Sequence, residues 1–491
     1  MILSAQERFR PCLPTVMGNV DSKELERQLK RIDAILILTG TEKDFIERSL
    51  RHWAEEIGMP LEKISEKARL TFQKHSRQAL RCNILRALMG DSFRDFSCQL
   101  AGWPLFQWFC GVDTWGAVKV PAKSTLQRYS QWLPAKEMRE VIYGVLRKAG
   151  DPSFTLGFEK PFDFDCYFLD TTCVKAPIHF PVDWVLLRDG TRTLMKAVKL
   201  IRQQGLKHRM EEPKEFLKRM NRLCIQMTHS RRKKNAKKEK KRILRLMKVM
   251  VGVVSSHAHR YRDLLDRQWE ETEWTHPQAE QVLKRIDRVL DLLPQAKKQA
   301  HERIIGERQV ANEEKILSLY ETETNVIVRG KAGAETEFGN TLLLGETAQG
   351  LMVDWKLWKD SAPGDARMLA GSLARVKSGL EIRIKAVGGD RGFDSQSNRE
   401  SLEDADIYNG LCPKDPEQLK ENMQEDRFSW LQKRRSQTEG RIGIFKNQFL
   451  GRPLRVKGFA HRELAVTWAV LTHNLWVMAR LPQVEIKQKA A

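Results

Sequence analysis

The order of hydrophobic periods constrains this chain more than any other feature. Two regions in which apolar residues alternate, as a β-strand requires, flank a long stretch in which they recur at helical intervals. In the first region Phe162, Phe164, Cys166 and Phe168 interleave with Asp163, Asp165, Tyr167 and Leu169, which predicts a strand ending at Asp170. The second opens at residues 325–330 and continues through 341–345 and 350–355. After a short helix around 366–377, Ile382, Ile384 and Ala386 alternate again, and that strand leads into Gly388-Gly389-Asp390. The expected class is α/β (α+β), a mixed sheet flanked by helices and interrupted by a helical insertion.

Residues 22–150 carry helical spacing, as in Leu80, Ile84, Leu85 and Leu88. Turns into helices are expected at Gly90-Asp91-Ser92-Phe93 and at 120–126, where Ser124 is a candidate cap for a helix bearing Arg128 and Trp132. A helix-turn-helix reader of DNA and a purely structural helical lobe account for this pattern equally well. The stretch 206–308 has few glycines and a basic run, Arg231-Arg232-Lys233-Lys234 followed by Lys237, Lys238, Lys240, Lys241 and Arg242. Thr275-His276-Pro277 marks a new helix with an apolar stripe of Val282, Ile286, Val289 and Leu290, so a helical hairpin is expected. The resulting layout is 1–150, an all-α N-terminal region; 151–205, the first part of a sheet domain; 206–308, a basic helical insertion; and 309–491, the rest of the sheet domain with a C-terminal helix.

Lys and Arg number 85 against 63 Asp and Glu, a formal net charge of +22, which points to a polyanionic partner. Nucleic acid is favoured over a membrane, because no apolar run approaches the ~18 residues of a spanning helix. The start, residues 1–14, lacks a signal-peptide layout, and a cytoplasmic protein is expected. The 8 cysteines contain no CxxC pair, so neither a zinc site nor a disulfide framework is suggested. No P-loop pattern and no internal repeat is present. The basic run fits either a solvated helix face or a DNA contact.

Three carboxylates stand out. Asp390 sits in Gly388-Gly389-Asp390-Arg391-Gly392-Phe393-Asp394-Ser395, where glycines suit a tight loop that holds a carboxylate clear of the sheet. Asp170 has the strand parity of Phe164 and Phe168, on a packed face where a divalent cation would offset the cost of a buried charge; Asp163 and Asp165 compete with it. Capping a helix or pairing with Arg is the commoner fate of such an Asp. Glu439 lies in a helical stretch from about 426 to 449, and two readings compete for it. Ser436 and Glu439 have the spacing of a capping box. Alternatively Arg435, four residues before Glu439, and Lys446, seven after, share its helix face, keeping it ionised beside groups able to grip a phosphate.

With these residues in place, the chain resembles the insertion-sequence DDE transposases, whose catalytic domain is ribonuclease H-like. In that family the first Asp lies on the first strand, the second follows the fourth strand and the Glu is on a later helix, the order of Asp170, Asp390 and Glu439. The loop 389–395 is similar to the family's second-Asp motif. Arg435, Glu439 and Lys446 fit the spacing of a Tyr-Arg-Glu-Lys signature, with Gln432 at the Tyr position. Gly330-Lys331-Ala332-Gly333 and Glu335-Thr336-Glu337-Phe338-Gly339 resemble a stretch found in related elements, and the likeness spans roughly 71–481.

The resemblance implies two-metal phosphoryl transfer, with Mg2+ or Mn2+ held by Asp170, Asp390 and Glu439, two ions per site. Arg435, Lys446 and Arg391 would contact DNA phosphates, and the N-terminal helices would recognise terminal inverted repeats. The partners implied are double-stranded DNA, as element ends and target, and a second copy of the chain in a synaptic homodimer, with no membrane. Two alternatives remain: a nuclease or resolvase on the same fold, and a catalytically inactive, domesticated DNA-binding protein.

Overall fold

The computed structural model describes residues 20–112, 118–151, 153, 156, 158, 162–232, 234–331, 334–451 and 454–482, leaving aside the side chains of 231, 329–331, 334 and 335. Ala332, Gly333 and Lys233 therefore lie outside the described residues. Seven helices come first: α1 (Val20–Leu38), α2 (Thr41–Glu56), α3 (Glu66–Met89), α4 (Phe93–Gly102), α5 (Pro104–Cys110), α6 (Lys123–Tyr129) and α7 (Ala135–Gly150). Strand β1 (Cys166–Lys175) follows, then α8 (Asp183–Gln203), α9 (Pro213–His229), α10 (Ala236–Gln268) and α11 (His276–Ile304). The remainder is β2 (Asn325–Lys331), β3 (Ala334–Thr347), β4 (Met352–Leu357), α12 (Leu369–Leu380), β5 (Ala386–Gly389), α13 (Gln396–Asp404), β6 (Tyr408–Leu411), α14 (Pro416–Asn422), α15 (Asp426–Ile444) and α16 (Phe459–Arg480). The protein is mixed α/β, with a 6-stranded sheet ordered β2-β3-β1-β5-β6 and β4 paired to β3.

Two compact units emerge. One comprises 1–174, 341–358 and 362–491; the other comprises 175–340 and 359–361. In the first unit the helices α1–α7, the strands and α16 share one hydrophobic core, so the N-terminal helices are not a detached lobe. Arg81 on α3, almost wholly buried, pairs with Glu42 of α2 and with Asp33 of α1 at 2.7 Å, and donates to the Phe109 carbonyl at 3.0 Å. A buried guanidinium is tolerated only with such partners, and here they tie four helices together. The Gly90 turn is as expected: Gly90 takes a left-handed φ of 71° and Ser92 accepts the Asp95 amide to open α4. Ser124, by contrast, does not cap. Helix α6 already begins at Lys123, with Ala122 at its N-cap.

Helix α16 is apolar on nearly every face, the pattern of a helix surrounded by protein. Its Asn474 side chain donates to the Met352 carbonyl and accepts the Met352 amide, both at 2.8 Å. One primary amide thus satisfies both exposed groups at the start of strand β4.

Strand β1 starts later than the alternation suggests and runs on past Asp170 to Lys175. It pairs in parallel with β5, Cys166 facing Ala386 and Phe168 facing Gly388, and β5 pairs in parallel with β6. Gly388 and Gly389 belong to β5 rather than to a tight loop. Their lack of a side chain serves close packing, since a Cβ would come within 2.7 Å of the Phe168 ring at Gly388 and 2.8 Å of Leu411 at Gly389.

The second unit is built on four helices, α8 to α11, rather than a single hairpin, around a core that includes Leu187, Leu194, Met247, Val254, Ile286 and Leu293. Helix α8, grouped by sequence with the first strand, packs against α9, α10 and α11. Gly190 permits that approach, because a Cβ there would meet Leu293 at 2.7 Å. Strand β2 pairs antiparallel with the first half of β3 in this unit, and β4 pairs antiparallel with the second half in the other. No helix among the described residues is long and apolar enough to cross a membrane.

His473 of α16 is fully buried against Phe445, Phe449 and Trp476. Burial, assisted by the Arg441 charge, pushes its imidazole down to about 3 from 6.5. Between those values the unfolded chain binds a proton that the folded chain does not, so stability falls as pH drops from 6.5 toward 3. The slope from this group is at most about 1.4 kcal/mol per pH unit. Urea unfolding at pH 7 and pH 5 is expected to show a smaller pH-dependent loss in His473→Phe than in the parent; equal losses would refute a neutral buried histidine.

Candidate catalytic carboxylate site

Asp170 and Asp390 meet through strand register. Counting on from the pair Phe168 and Gly388, they occupy corresponding positions where two neighbouring parallel strands run toward their carboxyl ends. Such strands lie about 4.8 Å apart. Side chains alternate along a strand, so Asp170 shares its parity with Phe168, and Asp390 shares its parity with Gly388 and Ala386. Phe168 and Ala386 cluster with Leu431 of α15, which places that helix over the face to which both aspartates have parity. Both are half-exposed, so the dry surroundings expected for Asp170 are not found. Asp163 and Asp165 lie before β1, whereas Asp170 lies within it, and Asp165 pairs with Lys385 at 2.7 Å. They are not rivals for the same place.

The loop after β5 is held from several sides. Asp390 Oδ1 accepts the Gly392 amide at 2.9 Å, and the Asp390 carbonyl accepts the Phe393 amide. Phe393 is buried, and Asp394 is clamped by Nε and one terminal nitrogen of Arg399, each at 2.7 Å, which holds its carboxyl below the usual range. Asp394 thus has the ordinary fate of a buried carboxylate, an arginine partner, as does Asp354 with Arg375. Asp390 makes no ion pair among the described residues. A further acid joins this edge: Asp365, in the turn before α12, lies 3.3 Å from the Thr171 hydroxyl. A Cβ on Gly392 would come within 2.7 Å of Asp365 Oδ2 and 3.0 Å of Asp390 Oδ1, so Gly392 lies between the two carboxylates. Neither Asp365 nor Thr171 belongs to a sequence motif that announces it; only the fold joins them to Asp170 and Asp390.

Helix α15 decides between the two readings of Glu439. Ser436 lies well inside the helix and its hydroxyl donates to the Lys433 carbonyl, so it caps nothing. The helix is fastened by Glu346 of β3, which is buried and accepts Arg434 at 3.0 Å and the Thr438 hydroxyl at 2.7 Å. Arg441 Nε lies 2.8 Å from the other Glu346 oxygen, close enough for an ion pair although not aligned as a hydrogen bond. The Arg434 guanidinium also covers the Phe168 ring at 4.9 Å.

Residues seven apart share a helix flank, and Gln432, Glu439 and Lys446 are so spaced. Gln432 donates to the Gly410 carbonyl on β6 at 2.7 Å, and Lys446 donates to Thr172 on β1 at 2.9 Å. Lys446 lies in a π-helical turn, Phe445–Phe449, that extends α15. Glu439 is exposed midway between these two anchors, on the flank they hold against the sheet. Neither cation pairs with it. Arg435 Nε donates to Gln432 at 3.1 Å instead, and Lys446 is turned to Thr172. Arg391 is exposed beside Asp390.

Carboxylates with threonine hydroxyls beside them, and no Cys or His, form a donor set suited by type to a hard divalent cation such as Mg2+ or Mn2+. Among the described residues no three His, Cys, Asp or Glu side chains stand close enough together to share one ion. The donors therefore fit such ions in kind. No protein-family model, no curated protein and no solved structure matches the chain.

Removing the charge of Glu346 leaves two arginines facing an uncompensated interior. Glu346→Leu is expected to destabilise the first unit by about 3–5 kcal/mol in urea unfolding, the cost of breaking a buried ion pair from one side. A loss under 1 kcal/mol would show that the cluster does not hold α15 in place.

Proposed function

We propose that this protein is a DDE-type transposase of the insertion-sequence kind, with a ribonuclease H-like catalytic domain, binding the inverted-repeat ends of a DNA element and cutting and joining strands there. The observation that carries the reading is the parallel pairing of β1 and β5, whose register, counted on, sets Asp170 on β1 against Asp390 directly after β5, with Glu439 on the helix flank pinned at Gly410 and Thr172. The order of elements supports it too. Within the first unit the strands run β1, the second half of β3, β4 and β5, so Asp170 lies on the first and Asp390 follows the fourth.

In this reading Asp170, Asp390 and Glu439 would hold two Mg2+ or Mn2+ ions, which when bound activate a water or a 3′-hydroxyl and stabilise the leaving oxygen of an in-line displacement. The protein's own groups bind and orient the DNA. Arg435, Lys446 and Arg391 meet backbone phosphates near the carboxylates, contacts that position the duplex without reading its sequence. The exposure of Glu439 is consistent with a substrate as large as duplex DNA reaching it from solvent. The charge of +22 supplies the long-range attraction for element ends and target. Two copies would bring two ends together, and a cytoplasmic, nucleoid-associated enzyme follows.

The test is strand cleavage and joining by the purified protein with Mg2+ or Mn2+ and DNA carrying the ends of its own element. Glu439→Gln is expected to lower both activities at least about 10²-fold while leaving DNA binding nearly intact. Cutting without joining would favour a nuclease or resolvase, and tight binding with neither activity would favour a non-catalytic DNA-binding protein.

A further inference from the structure

Gln432 stands where the family resembled by this chain carries Tyr, and its side chain makes two directed bonds. The amide nitrogen donates to the Gly410 carbonyl at 2.7 Å, and the amide oxygen accepts Arg435 Nε at 3.1 Å. One planar group therefore joins the backbone of β6 to a guanidinium one helical turn along α15. A tyrosine would have to make both bonds through its single hydroxyl oxygen, whereas the amide separates donor and acceptor onto two atoms.

The close approach that permits this is built into the strand. Gly410 pairs with Gly388, and a Cβ on Gly410 would come within 2.6 Å of Leu431 and 2.8 Å of the Val387 carbonyl. Without a side chain at 410 the helix settles against β6, and Gln432 reaches a strand carbonyl directly. Arg435 carries five donor hydrogens in a fixed plane. Occupying Nε through Gln432 sets the direction of that plane and leaves the outer edge of the guanidinium, the part suited to bidentate contact with phosphate oxygens, pointing away from the bond.

We propose that Gln432 is a positioning residue for a DNA phosphate: it fixes the Arg435 guanidinium to the edge of the sheet that carries Asp390, so that phosphate and carboxylates keep one frame. The inference rests on the reading of Arg435 as a phosphate contact. Its effect is on binding geometry. Gln432 itself touches neither substrate nor the reacting atoms.

A double-mutant cycle separates the two ideas. Binding of a fluorescein-labelled 30-base-pair duplex, without metal, is measured by anisotropy across a salt series for the parent, Gln432→Met, Arg435→Met and the double variant. Arg435→Met is expected to weaken binding and reduce the salt slope by about 1. Gln432→Met, nearly isosteric and uncharged like the parent residue, is expected to weaken binding about fivefold in the parent background, the scale of one net hydrogen bond, and to have no further effect when Arg435 is already Met. Gln432→Glu, which keeps an acceptor for Arg435 but loses the donor that ties it to Gly410, is expected to weaken binding more in the parent background than when Arg435 is already Met, and covers the case in which Gln432→Met fails to fold. An equal loss from Gln432→Met in both backgrounds, or none in either, would overturn the positioning role while leaving Arg435 as a phosphate contact. No change from Arg435→Met would overturn the phosphate reading itself.

Discussion

The site depends on one buried carboxylate. Glu346, on β3, gathers Arg434, Thr438 and Arg441 from a single helix face. Those three positions recur at helical spacing, so one strand residue fixes both the height and the rotation of α15 over the sheet. Burial pushes the Arg441 guanidinium below its ordinary value and Glu346 opposes that shift, the balance expected when two cations share one anion away from water. With the inner face fixed in this way, the next flank of the helix is bound to present Gln432, Arg435, Glu439 and Lys446 along the strand ends. The geometry of the outer residues is thus a consequence of the inner ones.

Much of this was legible in the sequence, and the failures have specific causes. The helix bearing Glu439 was placed within a few residues, although its buried face is continued by Arg434 and Thr438 between the apolar Leu431 and Ile442. Whether Ser436 and Glu439 formed a cap was not decidable from spacing alone, since the same letters occur inside a helix. The alternation before Asp170 signalled a strand but not its bounds: Phe162 and Phe164 are buried as part of the approach to β1, not as part of its pairing. Two glycines taken for a loop proved to be strand residues, because a close approach by Phe168 or Leu411 leaves no trace in local sequence. Glu346 and Asp365 were missed for the same reason. Their partners lie far along the chain, and nothing in a window around either residue records them.

The basic helical stretch illustrates a different limit. Its period identified helices correctly, yet the pattern alone could not say how many would pack together, because each amphipathic face is equally able to meet one neighbour or two. Helix α8 supplied the missing surface: its buried face, including Leu187, Leu194, Val198 and Ile201, is the common wall on which α9, α10 and α11 pack. Much of the basic run stays outside that core. Lys237 and Lys238 are exposed, while Arg242 is bonded to Glu239 within its own helix. Such a surface contributes field rather than fixed contacts, which suits attraction of a polyanion better than recognition of a particular sequence.

The contrast among carboxylates in the first unit bears most directly on function. Asp354, Asp394 and Glu346 are buried, and each is matched to arginine. Their charges are spent on holding the fold. Asp390 and Glu439 differ in that neither forms an ion pair among the described residues, although Arg435, Lys446 and Arg391 lie close by in sequence. Arg435 donates to Gln432, and Lys446 donates to Thr172. Acids outside any ion pair, as Asp390 and Glu439 are among the described residues, stay available to a divalent cation, and an arginine bonded to a neutral amide keeps its charge for an anion. Ordinary structural charges gain stability by pairing, so the absence of an ion pair at Asp390 and Glu439 among the described residues sets them apart from the buried carboxylates of this unit.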